Sequence, residues 1–257
     1  MSSAHTTPVQ HLETTLRDAP DGAIVAYLTA GLPSLAAFSD VLRRVADVAD
    51  AVEVGVPFSD PMADGPTIQR ASRRALDGGV TLPWILDTLE AMDPRPAAPI
   101  LLMSYLNPLL AFGLDRLALR AREAGVSAFI VPDLPLEESG PLRAALEAEG
   151  LGMVQMIAPT TPAARRKKLR EASRGFTYAV TVNGVTGGEA GLPHGLLDGL
   201  AEARSEGSVP LLAGFGIRRR AHVEALAGAV DGVIVGSVLL EVLERGGDPA
   251  ATLQELR

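Results

Sequence analysis

The sequence predicts a single (β/α)8 TIM barrel with one or two extra helices. Eight short apolar segments recur along its 257 residues, and amphipathic stretches separate them. Alternation of strands and helices with crossovers of this length implies parallel pairing in right-handed βαβ units, and eight such units in about 250 residues are typical of this barrel. The alternative is an open doubly wound sheet. Such a sheet usually carries a glycine fingerprint after its first strand, and the segment Thr29–Pro33 is too short for one.

The eight predicted strands are brief, rich in apolar or β-branched residues, and lead into loops that carry Gly, Pro, Ser or Asp, as buried strands do. In chain order they are Ala23–Gly31, Ala51–Phe58, Ile100–Tyr105, Ala128–Asp133, Met153–Pro159, Phe176–Val182, Leu211–Gly216 and Gly232–Ser237. The amphipathic runs between them predict helices at Leu35–Val48, Leu114–Ala124, Pro141–Glu149, Ala163–Ala172, Gly195–Arg204 and Arg219–Ala229. Two helices, over 66–75 and 82–92, crowd the second crossover, which predicts one extra helix there.

No linker, low-complexity tract or change of composition divides the chain, so residues 1–257 are expected to form one domain, with a flexible tail over residues 1–10. No apolar run is long enough to span a bilayer, and the N-terminus lacks a signal-peptide pattern, which favours a cytoplasmic protein without a membrane partner. The absence of cysteine excludes disulfides, thiolate nucleophiles and cysteine-bound metal. A formal charge of −8 argues against nucleic acid as a partner.

The strongest chemical signal is a pair of carboxylates in the stretch EVGVPFSDPMADGPTIQ, which runs from Glu53 to Gln69. Glu53 interrupts a strand whose valines share the opposite face, so in a parallel sheet covered by helices it lies in a closed interior. Desolvation there raises the pKa of a carboxyl toward neutrality, where it can both give and take a proton. Asp64 follows in a loop just ahead of a helix. A buried ion pair for Glu53 and a turn or capping role for Asp64 are the structural alternatives.

The ends of the last two predicted strands carry a second signal. Active sites in this barrel lie at the C-terminal ends of the strands, so the loops there are where we expect ligand contacts. These two loops hold Gly214, Gly216 and Gly236, followed by Ser237. Glycines let backbone N–H groups approach an anion closely, and a helix N-terminus after Ser237 adds a favourable dipole. The pair of loops therefore predicts a phosphate cradle.

Other kinds of site find little support. None of the four histidines, at positions 5, 11, 194 and 222, closes a strand, and no spacing of His, Asp or Glu suits a metal ligand set. A Ser-His-Asp triad also lacks a candidate base. Tyr178 and Phe215 either line an apolar pocket at the barrel mouth or are plain core residues. The residues thus support two carboxylates that act as acid and base on a partly apolar phosphate ester, without a cofactor.

The sequence resembles the tryptophan synthase alpha subunit family along nearly its whole length. The segment GVPFSDPMADGPTIQ, residues 55–69, is the longest and most specific match. Shorter segments follow the order they have in the family: YLTAGLP (27–33), MSYLNP (103–108), VPDLPLEES (131–139), GVTG (184–187), GFGI (214–217) and GS (236–237). The resemblance implies a (β/α)8 barrel that cleaves indole-3-glycerol phosphate to indole and glyceraldehyde 3-phosphate, a retro-aldol reaction of L-tryptophan biosynthesis.

The resemblance implies a role for each residue that matches a site position of the family. Glu53 would protonate C3 of the indole and take the proton of the glycerol hydroxyl, while Asp64 would accept the indole N–H. Positions around the indole ring are matched by Tyr27, Met103, Tyr105, Ile130, Pro132, Tyr178, Thr186, Phe215 and Ile234. Phosphate-binding positions are matched by Gly187, Gly216, Gly236 and Ser237.

The resemblance also implies mobile loops and a partner. The loop that carries Pro57, Asp60 and Asp64 and the loop that carries Thr186 resemble the family's lids, which close over the substrate and exclude water. Part of the first loop faces a β subunit in the family. The implied partner is therefore a tryptophan synthase β subunit in an αββα complex, and pyridoxal phosphate belongs to that partner, so no cofactor is expected in this chain.

The second lid departs from the family pattern. The family usually has Ser-X-X-Gly-Val-Thr-Gly-Ala, where this chain reads TVNGVTGG over residues 181–188, and the following segment, 189–193, is short and glycine-rich. This departure motivates an alternative, a stand-alone lyase that releases free indole. A non-catalytic scaffold barrel is disfavoured because Glu53 and Asp64 are both present. Another phosphate-sugar lyase or isomerase on the same fold is a further alternative.

Overall fold

The computed structural model describes residues 6–181, 195–214 and 216–257. Eight parallel strands form a closed barrel in which neighbours follow chain order and the last strand pairs with the first. They are β1 (Ala23–Thr29), β2 (Ala51–Gly55), β3 (Ile100–Met103), β4 (Val126–Ile130), β5 (Gly152–Ile157), β6 (Thr177–Val180), β7 (Leu211–Gly214) and β8 (Gly232–Val235). The predicted (β/α)8 barrel is confirmed, and the open doubly wound sheet is excluded.

All eight predicted strands exist, and each ends two or three residues earlier than the sequence indicates. Both faces of the strands are covered, so nearly every strand residue is buried and the apolar runs are continuous. The first loop residues after a strand are often buried as well, as Ala30 and Val56 show. Hydrophobicity alone therefore cannot mark where strand pairing stops and the loop begins.

The described residues form twelve helices, four more than the eight that such a barrel needs. They are α1 (Pro8–Arg17), α2 (Leu35–Ala46), α3 (Pro66–Asp77), α4 (Leu82–Glu90), α5 (Leu106–Phe112), α6 (Leu114–Glu123), α7 (Gly140–Ala148), α8 (Ala163–Ala172), α9 (Leu196–Ser205), α10 (Arg220–Leu226), α11 (Ser237–Glu244) and α12 (Pro249–Leu256). The extra helix expected in the second crossover is confirmed, since that crossover holds α3 and α4. The remaining additions lie at the chain ends and in the third crossover, where strand and helix alternation gives no cue.

The N-terminal helix α1 corrects the expected tail. Thr7 caps it through a reciprocal capping box, in which the Gln10 side chain accepts the Thr7 N–H at 2.9 Å. The helix is tied to the barrel by a hydrogen bond from the Val9 N–H to the Gly150 carbonyl, and its Leu12 and Leu16 are fully buried. Residues 8–10 therefore belong to a packed helix and not to a flexible tail.

The barrel wall aims Glu53 into the interior. Glu53 stands in the middle of β2, in register with Tyr27 of β1 and Leu101 of β3. Alternation along β2 places Gly55 on the same side as Glu53, and the end of that strand leads into the loop that carries Asp64. None of the helices in the described part of the chain is long and apolar enough to cross a membrane.

Candidate active site

A cavity of about 230 Å³ opens where the strands run into their C-terminal loops. Nine residues predicted for the site line it: Tyr27, Glu53, Asp64, Met103, Tyr178, Gly216, Ile234, Gly236 and Ser237. Carboxyl groups, apolar side chains and glycine-rich loops thus face one space. This combination suits a ligand with an apolar body and a few polar groups.

Glu53 is buried without an ionic partner. It is only 1% exposed, and its Oε1 has no hydrogen-bond partner among the described residues. No arginine, lysine or histidine of the described ranges forms an ion pair with it, so the structural alternative of a buried salt bridge finds no support there. Burial alone raises the pKa of Glu53 from 4.5 to about 8. At neutral pH its carboxyl therefore carries a proton that it can donate.

Two tyrosines complete the wall around Glu53, and two glycines make room for them. A Cβ added at Gly55 would lie 2.1 Å from the Tyr27 hydroxyl oxygen, and one added at Gly214 would lie 2.2 Å from that of Tyr178. Burial raises the pKa of both phenols, and the nearby carboxyls of the site add to the effect. Both rings therefore stay neutral and give the cavity an apolar lining with polar tips.

Asp64 lies in the loop between β2 and α3, where Tyr105 holds it. The Tyr105 hydroxyl donates to Asp64 Oδ2 at 3.2 Å and accepts the Ala63 N–H at 2.9 Å, and the Phe58 ring stacks on Tyr105 at 4.9 Å. Burial raises the pKa of Asp64 from 3.8 to about 6, and the Tyr105 hydrogen bond opposes that shift. The carboxyl is thus mostly ionised at neutral pH.

The capping role considered for Asp64 is not what its side chain does. The residue before α3 is Gly65, and no side chain caps that helix. Asp64 Oδ1 is buried and has no hydrogen-bond partner within the described ranges, although the residue lines the cavity. The unused oxygen is consequently available to accept a hydrogen bond from a ligand.

The glycine-rich end of the cavity joins two loops. Gly216 follows β7 with φ of +84°, a backbone conformation that suits glycine, and its carbonyl lies 3.1 Å from Nδ1 of His222. Gly236 precedes Ser237, the first residue of α11, whose first N–H groups have no intrahelical acceptor. These groups could bind an anion such as a phosphate.

Several predicted residues stand elsewhere. Ile130 is fully buried beside Met103 in the barrel wall, and Pro132 lines a separate groove with Arg165. Neither is among the residues that line the cavity. Tyr105 contacts Asp64 and does not line the cavity.

Pro57 is buried just after the end of β2, whereas Asp60 is exposed and accepts a hydrogen bond from the Ser59 hydroxyl. Thr186, Gly187 and Phe215 lie outside the described residues.

Some lining residues were not predicted. They are Gly65, Pro66, Thr67, Ile68, Ile217, Arg218 and Glu241. The first four belong to the same 53–69 stretch that carries both carboxylates, so their position next to Asp64 was a usable signal. Arg218 and Glu241 form an ion pair at the glycine-rich end, and it brings together residues more than twenty positions apart.

Comparison with known proteins gives a consistent result. A family model described as tryptophan synthase alpha chain matches residues 14–256. The chain is 46% identical to the tryptophan synthase alpha chain of Nitratidesulfovibrio vulgaris strain DP4 over 233 residues. This match covers 90% of this chain and 91% of that chain. The solved tryptophan synthase subunit alpha from Legionella pneumophila strain Paris is 31% identical with a TM-score of 0.86, over 97% of this chain and 95% of that chain. A chain of tryptophan synthase from M. tuberculosis, in its aminoacrylate- and BRD0059-bound form, is 32% identical with a TM-score of 0.86, over 98% of this chain and 97% of that chain.

Proposed function

Because the chain belongs to the tryptophan synthase alpha chain family, we propose that it cleaves indole-3-glycerol phosphate to indole and glyceraldehyde 3-phosphate in L-tryptophan biosynthesis. The observation that carries this proposal is the buried carboxyl of Glu53, which has no ionic partner among the described residues and faces the same cavity as Asp64 and the glycine-rich loops. A carboxyl that is protonated at neutral pH and another that is ionised supply the acid and the acceptor that this carbon–carbon lyase reaction needs.

The proposed reaction begins with proton transfer. Glu53 donates its proton to C3 of the indole, and Asp64 accepts a hydrogen bond from the ring N–H as positive charge develops on the nitrogen. The Glu53 carboxylate then removes the proton of the glycerol hydroxyl next to the ring. As that carbonyl forms, the bond to C3 breaks and its electron pair restores the aromatic indole. Glu53 ends the cycle protonated, so no proton is consumed.

The two pKa values predict a bell-shaped dependence of kcat/KM on pH. Activity should rise as pH passes about 6, because protonated Asp64 cannot accept the indole N–H. It should fall as pH passes about 8, because ionised Glu53 has no proton to donate. Because both carboxyl groups lie in one cavity, the midpoints of the two limbs are apparent pKa values of the pair. Initial rates of indole release across this range test the assignment, and a profile without the alkaline limb would contradict a protonated Glu53.

The phosphate of the substrate is proposed to bind between the loops of Gly216 and Gly236. Replacing Gly236 with aspartate should raise KM about tenfold or more, because a carboxylate there repels the phosphate, with a smaller effect on kcat. A Cβ at this position would lie 3.3 Å from Tyr27 Cβ, so Gly236→Ala is the control for the steric part of the change. Equal KM for the aspartate and alanine variants would remove this loop from the phosphate site.

We further propose a tryptophan synthase β subunit as the partner. The loop after β2 presents Asp60 and Met62 to solvent, and Met62 is 84% exposed. Both residues belong to the segment 55–69, the longest match to the family, and part of this loop faces a β subunit in the family. Adding a β subunit should raise the rate of indole release by the purified chain. A rate that is high and unchanged by β would favour the stand-alone lyase, but no described residue favours it, and residues 182–194 lie outside the described ranges.

The proposed chemistry needs no cofactor in this chain. Each step is a proton transfer or the making and breaking of a carbon–carbon or carbon–oxygen bond within the substrate, which carboxyl groups can catalyse. Pyridoxal phosphate would belong to the β partner. Dialysis of the purified chain against a chelator should leave the rate of indole release unchanged.

A further inference from the structure

Arg218 is the one basic residue among the described residues that line the cavity. It lies in the loop between β7 and α10, two positions after Gly216. The carboxylic acids of the lining are Glu53, which is protonated at neutral pH, and Asp64 and Glu241. A cavity that must accept a phosphate ester thus holds a single guanidinium within the described part of the chain, at the end where the glycine-rich loops meet.

The guanidinium is held in place from across the cavity. Nη1 of Arg218 lies 3.0 Å from Oε1 of Glu241, and Nη2 binds the other carboxylate oxygen. Glu241 stands one helical turn after Ser237 in α11, so its carboxylate is on the same side of the helix as the residue that opens it. The Arg218 hydrogen bond lowers the pKa of Glu241, which keeps the pair charged.

The pair leaves part of the guanidinium unused. Arginine has five N–H donors in a planar fork, and two of them meet the two oxygens of Glu241. Three donors remain for a ligand. The side chain is 39% exposed, so it has room to meet a ligand at the rim of the cavity. A planar, permanently charged fork is well suited to bind a phosphate through charge-assisted hydrogen bonds.

We propose that Arg218 binds the phosphate group of the substrate beside the Gly216 and Ser237 loops, and that Glu241 is a positioning residue which holds the guanidinium there. The inference rests on the proposed function, because it names the residue that recognises the phosphate of that substrate. The competing explanation is a purely structural tether between the β7–α10 loop and α11. The two explanations differ in what loss of Glu241 does.

Binding of inorganic phosphate and of sn-glycerol 3-phosphate, measured by calorimetry, separates them. Arg218→Gln should raise Kd for both ligands about tenfold, as expected for loss of a charge-assisted hydrogen bond, and leave indole binding unchanged. Glu241→Gln should bind phosphate as well as the wild type or more tightly, because the amide oxygen can still accept a hydrogen bond from the guanidinium and hold it in place, while the negative charge beside the phosphate is gone. With indole-3-glycerol phosphate, Arg218→Gln should raise KM while kcat stays close to the wild-type value.

Matched variants make the result specific. Arg220→Gln removes the same charge two positions away, from a residue that pairs with Glu224 and does not line the cavity, and should not change either Kd. Arg218→Lys keeps the charge but loses the fork, so its Kd should fall between wild type and Arg218→Gln. It also serves as the test if the glutamine variant does not fold.

Two results would overturn the proposal. One is wild-type phosphate affinity in the Arg218 variants. The other is an equal loss of affinity in Arg218→Gln and Glu241→Gln, which is what a tether predicts. These outcomes are distinct from failure of the proposed function. A wild-type chain that binds phosphate through Arg218 but releases no indole would refute the reaction and leave the phosphate contact standing.

Discussion

Replacing Glu53 with glutamine is expected to lower kcat for indole release by about 10²- to 10⁴-fold, the usual contribution of a general acid or base. Glutamine keeps the shape of the side chain but can neither donate the proton to C3 nor remove the hydroxyl proton. Steady-state kinetics with indole-3-glycerol phosphate measure the effect. Glu255→Gln changes the same chemical group at an exposed position of α12 and should leave kcat unchanged. Turnover of Glu53→Gln within a few-fold of wild type would reject Glu53 as the catalyst.

The same substitution should stabilise the fold at high pH. The pKa of Glu53 is raised from 4.5 to about 8 in the folded chain. As pH rises, the unfolded chain therefore loses this proton at a lower pH than the folded chain does. As pH rises through this window, the wild type loses stability by about 1.4 kcal/mol per pH unit, in total about 5 kcal/mol above the folded pKa. Glutamine carries no such penalty. Urea titrations across the window should therefore show Glu53→Gln gaining on the wild type as pH rises, and a constant difference would contradict the raised pKa.

Replacing Asp64 with asparagine is expected to lower kcat by about 10²- to 10³-fold, comparable to removal of one fixed electrostatic partner of a transition state. Asparagine keeps the size of the side chain and can still meet the Tyr105 hydroxyl. It lacks the negative charge that stabilises positive charge on the indole nitrogen. Asp77→Asn, at the exposed end of α3, is the matched control. A mild effect of Asp64→Asn would reduce Asp64 to a structural residue of its loop.

Tyr105→Phe tests whether the Tyr105 hydrogen bond lowers the pKa of Asp64. The Tyr105 hydrogen bond lowers the pKa of Asp64 against the effect of burial. Its loss should raise that pKa, so the acid limb of the kcat/KM profile moves to higher pH while the alkaline limb, which belongs to Glu53, stays in place. The pH profiles of the two proteins measure the shift. An acid limb that does not move would mean that Tyr105 only positions the loop.

The position of Glu53 could be predicted from the sequence because it depends on two local rules. The valines of β2 share one face and a parallel sheet is covered on both faces, so Glu53 and Gly55 had to lie together in a closed interior. The structural role of Gly55 could not be predicted from these rules. It is the absence of a Cβ there that admits the Tyr27 ring, a contact between two strands that no single segment encodes.

Contacts between distant loops explain why the positions of Tyr105 and Arg218 could not be predicted from the sequence. Tyr105 was assigned to the pocket lining, yet it lies behind Asp64, because the ordered β2–α3 loop folds over it. Arg218 belonged to a run of three arginines at the start of a predicted helix, where solvent exposure is the ordinary expectation. Its position in the cavity depends on Glu241, which lies in a helix after the next strand.

The helices that were missed have two different causes. α5 is short and mostly apolar, so it shows no polar face from which a helical period could be counted. α1 and α12 do carry signals, a capping box at Thr7 and an aspartate cap at Asp248 ahead of Pro249. Those signals lay outside the alternation of strands and helices on which the barrel was predicted.

The most direct test of the account is the product balance of the wild-type chain with indole-3-glycerol phosphate. Indole and glyceraldehyde 3-phosphate are measured in the same reaction, with the chain alone and with a β subunit added in the absence of serine. We predict that the two products appear in equal amounts and at a rate that increases with the β subunit. Failure to release indole under either condition would contradict the assignment of Glu53 and Asp64 to this cleavage.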